Sequence, residues 1–404
     1  MLAKHKAATI VIVVCFLLGL VGRGLSESFL TFVLPLSQHF AWNRASITSI
    51  YSLAALTGGL SAPLIGFLFD RFGPSRLYAI GLSCCGLGLS FAAFADQLWQ
   101  FYLCLGLGVG FGAAALGNVP HAALLSRWFR GRLSSASSIV YSSSGIGILL
   151  MVPLAQYLIV RQGWQNAYHW LGGGALVLLP LLLLLPWREL AAGDPDQAGS
   201  GSSAAGDLRS WTLIQAMRHP GFWGLFSVFF FTSFGNMSVV VQAVAFLVDS
   251  GFPPLQAASA WGLTGMLTPL GMLGFGWLDD KIGRRFSVTL SYGLSLAAVA
   301  AMWLLARYPT VWLLGALILL MGSTLGSRGP LVSTLAARLF RGADLGAIFG
   351  GIVLGGGIGA AVGTFVGGLL HDWSGGYDLV FAVSFVSLCL GGTPFWTIKA
   401  LAKD

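Results

Sequence analysis

The chain has 404 residues, of which 56% are hydrophobic and only 9% charged, and its mean hydropathy is +0.81. This composition lies outside the range of soluble globular proteins and makes the lipid bilayer the solvent. The net charge of +8 does not indicate nucleic acid, because the basic residues come in short clusters separated by apolar runs of about 20 residues rather than in a stripe.

Segmentation on charges, Pro and Gly predicts twelve helices, at 9–38, 45–69, 76–95, 98–126, 134–161, 165–187, 221–248, 254–279, 285–306, 309–338, 343–371 and 376–399. The first begins like a signal peptide, with Lys4-His5-Lys6 before an apolar stretch. That stretch runs on to about Leu36 without a convincing cleavage site, so it reads as a membrane span. Spans two and three are joined by Gly66-Phe-Leu68-Phe-Asp70-Arg71-Phe-Gly73-Pro-Ser-Arg76, and span four ends on Arg127-Trp-Phe129-Arg130-Gly131. The polar segment 188–220 contains Gly-Asp-Pro-Asp-Gln-Ala-Gly-Ser-Gly-Ser-Ser, which cannot bury apolar area and reads as a flexible linker. Its last part, Trp211 to Met217, has apolar residues at helical spacing and is expected to lie along the inner surface. Spans eight and nine are joined by Gly276-Trp-Leu278-Asp-Asp280-Lys281-Ile-Gly283-Arg284-Arg285. The 56 glycines suit close helix packing in lipid. The five cysteines sit in apolar runs without C-x-x-C spacing, which indicates neither a disulfide framework nor a metal site.

With the amino terminus inside, 17 of the 22 Lys and Arg residues are cytoplasmic and only Arg44, Arg161 and Arg307 face out. The positive-inside bias therefore predicts an even number of spans, both termini in the cytoplasm, and residence in the plasma (inner) membrane.

A charge kept at mid-bilayer is expensive and is a functional candidate by default. The candidates are Arg23 and Glu27 in span one, Asn118 and His121 in span four, Asn236 and Gln242 in span seven, and Arg328 in span ten. Arg23 and Glu27 are four residues apart, about 6 Å along one helix face, and can pair. The pair is either a structural bridge or a coupling device in which an anion displaces Glu27 from Arg23 as Glu27 takes a proton. Arg328 has no acidic neighbour in Ser327-Arg328-Gly329-Pro330, and an unpaired buried guanidinium suits a carboxylate. The alternative is that Arg328 snorkels toward the inner face, but about 15 Å of helix separates it from Arg338. His121 is either a packing residue or a proton carrier. No G-x-x-x-x-G-K-[ST] loop exists, so ATP is not expected to drive the chain, and no catalytic cluster suggests an enzyme.

The two joining loops share the pattern G-x-L-x-D-[RK]-x-G at an offset of 210 residues. Arg127-Trp-Phe129-Arg130-Gly131 matches Arg338-Leu-Phe340-Arg341-Gly342 at 211, and Gly145-Ile-Gly147 matches Gly357-Ile-Gly359 at 212. Such an ordered series is an internal duplication, dividing the chain into 1–187, the linker 188–220, and 221–404. The loop pattern between the second and third spans of each half resembles the signature of the major facilitator superfamily. The resemblance implies an all-α membrane fold of twelve helices in two pseudo-symmetric six-helix bundles, with spans one, four, seven and ten lining a cavity. It also implies that Asp70, Arg71, Arg76, Asp280, Lys281 and Arg284 act as gates. Further stretches are similar to the monocarboxylate and oxalate/formate branch: Phe32-x-x-Pro35-Leu36 with Phe40-Ala41-Trp42-Asn43-Arg44, Arg127-Trp128-Phe129-Arg130-Gly131-Arg132, Gly163-Trp164, Arg218-His219-Pro220-x-Phe222-Trp223 and Arg328-Gly329-Pro330. This implies transport of a small organic anion, commonly with a proton, by a carrier that works as a monomer without a cofactor. Anion exchange and proton-driven drug or metabolite efflux are the alternatives. Arg328, Arg23, Asn118, Asn236 and Gln242 are then the expected substrate ligands, and Glu27 and His121 the expected proton carriers.

Overall fold

A computed structural model describes residues 2–129, 133–193, 211–340, 345–398 and 401. The run expected to be a flexible linker falls mostly outside the described residues. Among the described residues the regular structure is helical and traces twelve spans. Two helices, Arg44–Ala92 and Leu133–Leu183, are 49 and 51 residues long. Each is about twice the length a 30 Å hydrocarbon layer requires. They are spans two and three, and five and six, joined end to end without a loop. The joints are Gly73 (φ 79°) and Gly163 (φ 84°), where the backbone is left-handed. A side chain with a Cβ would cost about 1–2 kcal/mol there. Gly283 (φ 105°) makes the matching turn between span eight (Pro254–Ile282) and span nine (Arg284–Arg307). The last glycine of the duplicated signature is thus a requirement of the turn.

The other spans are span one (Leu2–Glu27 and Phe29–Phe40), span seven (Pro220–Val240 and Ala243–Asp249), span ten (Val311–Thr324 and Arg328–Leu339), span eleven (Leu345–Ser374) and span twelve (Asp378–Gly392, extended by Pro394–Thr397). Span four runs from Leu98–Phe101 through a π-helical stretch, Tyr102–Val109, to Gly110–Ala115 and Asn118–Ser126.

By packing, the chain forms two compact units, Met1–Phe40 with Leu53–Ser202, and Ala41–Ser52 with Ser203–Asp404. The division falls inside segment 188–220, and the first turns of span two are grouped with the second unit. In the first unit, spans one and five approach through glycine: a Cβ at Gly24 would lie 2.8 Å from the Gly147 carbonyl oxygen. Spans three and six do the same, with a Cβ at Gly86 falling 3.0 Å from the Gly172 carbonyl oxygen. Arg127 Nη1 donates to Ala191 O at 3.0 Å and Trp128 Nε1 to Leu190 O at 2.8 Å. The basic motif after span four thus ties down the short helix Trp187–Ala192.

In the second unit, Gly355, Gly359, Gly363 and Gly367 of span eleven lie against the backbone at Phe226, Phe230, Phe234 and Ser238 of span seven. Their four-residue spacing makes one smooth face, and with no hydrophobic effect between helices in lipid such contact carries the packing. Span seven begins on a cap in which His219 Nδ1 accepts from Gly221 N at 3.1 Å and Pro220 occupies the first turn. The helix expected on the inner surface is short, Leu213–Met217. It is also partly absorbed into the protein: Trp211 and Leu213 pack against the cluster around Phe222 and Phe340, while Ile214 stays exposed.

Candidate functional site

Four spans are interrupted within their length: one at Ser28, four at Leu116 and Gly117, seven at Val241 and Gln242, and ten at Leu325 to Ser327. These are the four spans that the family resemblance assigns to a cavity, and the interruptions recur at an offset of about 210 residues, near that of the duplicated loops. Broken helices free backbone groups inside a membrane, which is tolerated where protein or a water-filled cavity receives them. Each break carries a residue singled out from the sequence: Glu27 precedes the first, Asn118 follows the second, Gln242 lies in the third and Arg328 follows the fourth.

In the first unit Arg23 Nη2 and Glu27 Oε1 are 2.7 Å apart, with the Arg23 side chain 47% exposed and Glu27 only 3%. The carboxylate is therefore inside and the guanidinium reaches out. Just past the pair, Ser28 and Thr31 turn their hydroxyls back to Leu25 O and Ser28 O, at 2.7 and 2.8 Å. This back-bonding competes with the helix ladder and explains a break without proline. Asn118 is exposed on the first turn after its break. His121, one turn further, points the other way: it is buried beside Tyr78 and Gly19, and its Nε2 has no hydrogen-bond partner.

In the second unit Asn236 and Gln242 are both buried. Neither polar atom of the Gln242 carboxamide has a partner within the protein. Leaving such a group dry costs on the order of 1–3 kcal/mol, which marks it as a place where a ligand or water would bind. Arg328 is 4% exposed. As expected from sequence, no carboxylate pairs with it among the described residues. It is not without contacts, however, because its guanidinium turns toward span nine. Nη2 donates to Ser291 O at 3.0 Å and Ser295 Oγ at 2.6 Å, and Nη1 to Thr324 O at 3.2 Å. The cation lies 4.4 Å from the centre of the Tyr292 ring, whose hydroxyl is held by Gly391 O at 2.9 Å and Thr232 at 2.7 Å. Only Nε lacks a partner. Neutral oxygens and a π face hold this cation while leaving its charge uncompensated. Sequence reasoning missed these partners, although Ser287, Ser291 and Ser295 form a polar stripe at four-residue spacing in an otherwise apolar span.

Among the expected gates, Asp70, Arg71 and Arg76 are exposed, and Arg71 lies over Phe67 and Phe72 of its own span. Lys281 is exposed and Arg284 is buried in the first turn of span nine. The side chain of Asp280 lies outside the described residues. A second cluster was not anticipated. At the opposite end of the spans, Arg44 meets Asp249 and Asp372.

Comparison with known proteins was made against this geometry. A family model described as Major Facilitator Superfamily matches residues 16–326 and 275–402. The chain is 27% identical to monocarboxylate transporter 13 of Bos taurus over 91% of this chain and 84% of that protein. It is 22% identical to the oxalate:formate antiporter of Oxalobacter formigenes over 94% and 89% of the two chains. In fold it resembles the crystal structure of a D-xylose-proton symporter, with a TM-score of 0.71 at 16% identity over 97% of this chain and 98% of that one.

Proposed function

The chain belongs to the Major Facilitator Superfamily and is a multi-pass membrane transporter, and on that premise we propose that its cargo is a small organic anion, in the first instance a monocarboxylate, carried with a proton by alternating access. The observation that carries this reading is the Arg23–Glu27 pair at the break of span one, an outward-reaching cation held by an inward carboxylate. A substrate carboxylate offers Arg23 the same two-oxygen acceptor that Glu27 does. When it binds, Glu27 loses its counter-charge inside a poorly solvated site and takes a proton to remain there. Return of the proton restores the pair and expels the anion, so the two move together. Asn118, Asn236 and Gln242 are uncharged partners for the rest of the cargo, and Arg328 adds a fixed positive field from behind Tyr292. His121 serves the proton path only by way of its unpartnered Nε2.

Exchange of anions is a second reading, favoured by the uncompensated charge of Arg328. With Glu27 protonated, Arg23 and Arg328 together suit a dianion, and the similarity to an oxalate:formate antiporter points the same way. The basic clusters at 71–76, 127–132 and 281–285 support a cytoplasmic placement of both termini and of the signature loops. The test is uptake of labelled small carboxylates into proteoliposomes under an imposed proton gradient. Accumulation that collapses in Arg23→Ala supports the reading; transport of cationic drugs with no carboxylate uptake defeats it.

A further inference from the structure

Span two begins in one packing unit and continues in the other. Residues Ala41–Ser52 belong to the second unit and the rest of the helix to the first. How the second unit holds this short segment is specific. The carboxylate of Asp372, at the end of span eleven, accepts from Arg44 N at 2.8 Å and Ala45 N at 2.7 Å, one oxygen to each. A residue 328 positions away thus caps the start of the helix, where unpaired N–H groups and the helix dipole favour a carboxylate. The Arg44 guanidinium reaches Asp249, at the end of span seven, at 3.0 Å. Tyr377 donates its hydroxyl to the same Asp249 oxygen at 2.8 Å. Burial pushes that hydroxyl above the usual phenol range, with Arg44 opposing and Asp249 adding to the shift, so it stays a donor. Beneath the charges, Gly368 lets the segment lie directly on span eleven: a Cβ there would fall 2.8 Å from Ala45 Cα and 2.9 Å from Ala45 N.

Other features oppose this hold. Ala41, which leads into the segment, has φ 53°, and it is the sole residue other than glycine with positive φ among the described residues. A left-handed alanine is strained. Arg44 Nη1 is buried without a hydrogen-bond partner. His371, next to Asp372, stands 3.7 Å from that carboxylate and stacks on Tyr377 instead of bonding to the segment. Two carboxylates and a glycine seat therefore work against a strained turn and an incompletely satisfied cation. Such a contact is built to be made and broken. A contact meant to be permanent would not need a strained entry.

We propose that residues 41–52 are a releasable latch, held on the ends of spans seven and eleven by Asp249 and Asp372 and let go once in each transport cycle. The proposal rests on the chain being a carrier that alternates between states, but not on which anion it carries. Thr48 reports the latch, since it is buried against Gly368. Ser287 reports the general fold, since it is buried near the signature loops at the other end.

The experiment places Thr48→Cys or Ser287→Cys in a background lacking the five native cysteines and measures labelling by a thiol reagent in nanodiscs, where both membrane faces are reachable. Asp372→Asn presents an NH2 donor to a backbone donor, and the expected result is an increase of at least about tenfold in labelling at position 48 with position 287 still protected. Gly368→Ala, which displaces the same segment without altering a charge, is expected to do likewise. Labelling at 48 unchanged in both variants overturns the latch. Equal exposure of 48 and 287 in both variants also overturns it, because the contact would then be part of the general fold. No substrate is used, so failure here leaves the anion reading standing, and failure of the uptake assay leaves the latch standing.

Discussion

Replacing Glu27 with Gln separates the two jobs assigned to the pair in span one. The charge centres of a pair with a 2.7 Å N–O contact are roughly 4 Å apart, which corresponds to about 4 kcal/mol at an effective dielectric constant near 20. Because the Arg23 side chain is 47% exposed, solvent screening reduces this, and about 2 kcal/mol is the working figure. That is the competition a substrate carboxylate must overcome. Removing it should strengthen anion binding by about 30-fold at neutral pH. The proton coupling should disappear together with the group that carries it. Counterflow of labelled carboxylate in proteoliposomes should therefore persist in Glu27→Gln with a lower half-saturation concentration, while accumulation against a gradient is lost when only a proton gradient is applied. If Glu27→Gln still accumulates substrate on a proton gradient, or binds it more weakly, the competition argument is wrong.

Gly359→Ala drives a methyl group into the Phe230 backbone of span seven and should destabilise the second unit by about 1–3 kcal/mol, read as a lower melting temperature in detergent. Ser295→Ala removes the shortest hydrogen bond to Arg328 and should cost about 1.5–3 kcal/mol of stability; Arg328→Lys should not substitute for arginine there, since an ammonium can neither fork to two oxygens nor lie flat on Tyr292. Ala41→Gly relieves about 1 kcal/mol of left-handed strain and should slow labelling of Thr48→Cys by about fivefold, opposite in sign to Asp372→Asn.

The number of spans and the two signature turns were legible because each has a local cause. An apolar run of about 20 residues crosses a bilayer, and a left-handed turn needs glycine at Gly73 and Gly283. The loss of helix at Ser28 and at Gln242 was not legible. Neither site has proline or glycine, and the first depends on hydroxyls bonding backward while the second leaves a buried carboxamide unsatisfied. Sequence also identified Arg328 as a charge without a carboxylate but could not see Tyr292 and Ser295, which lie 36 and 33 residues earlier on another span. The Arg44 cluster was beyond reach for the same reason, since its partners are 205 and 328 residues away. Charges near span ends were counted for topology, and counting does not say which of them touch.

The broken spans imply an order of events in the protein's ancestry. The interruptions occur at matching places in both halves, whereas the charges beside them do not: Arg23 and Glu27 have no charged counterpart near Asn236 and Gln242, and Arg328 has none near Asn118. A feature shared by both copies was present before the gene duplicated, and a feature found in one copy came later. The backbone geometry is therefore older than the chemistry installed on it. A carrier of this kind can acquire a new cargo by exchanging a few side chains around an inherited set of helix breaks, without relearning how to fold.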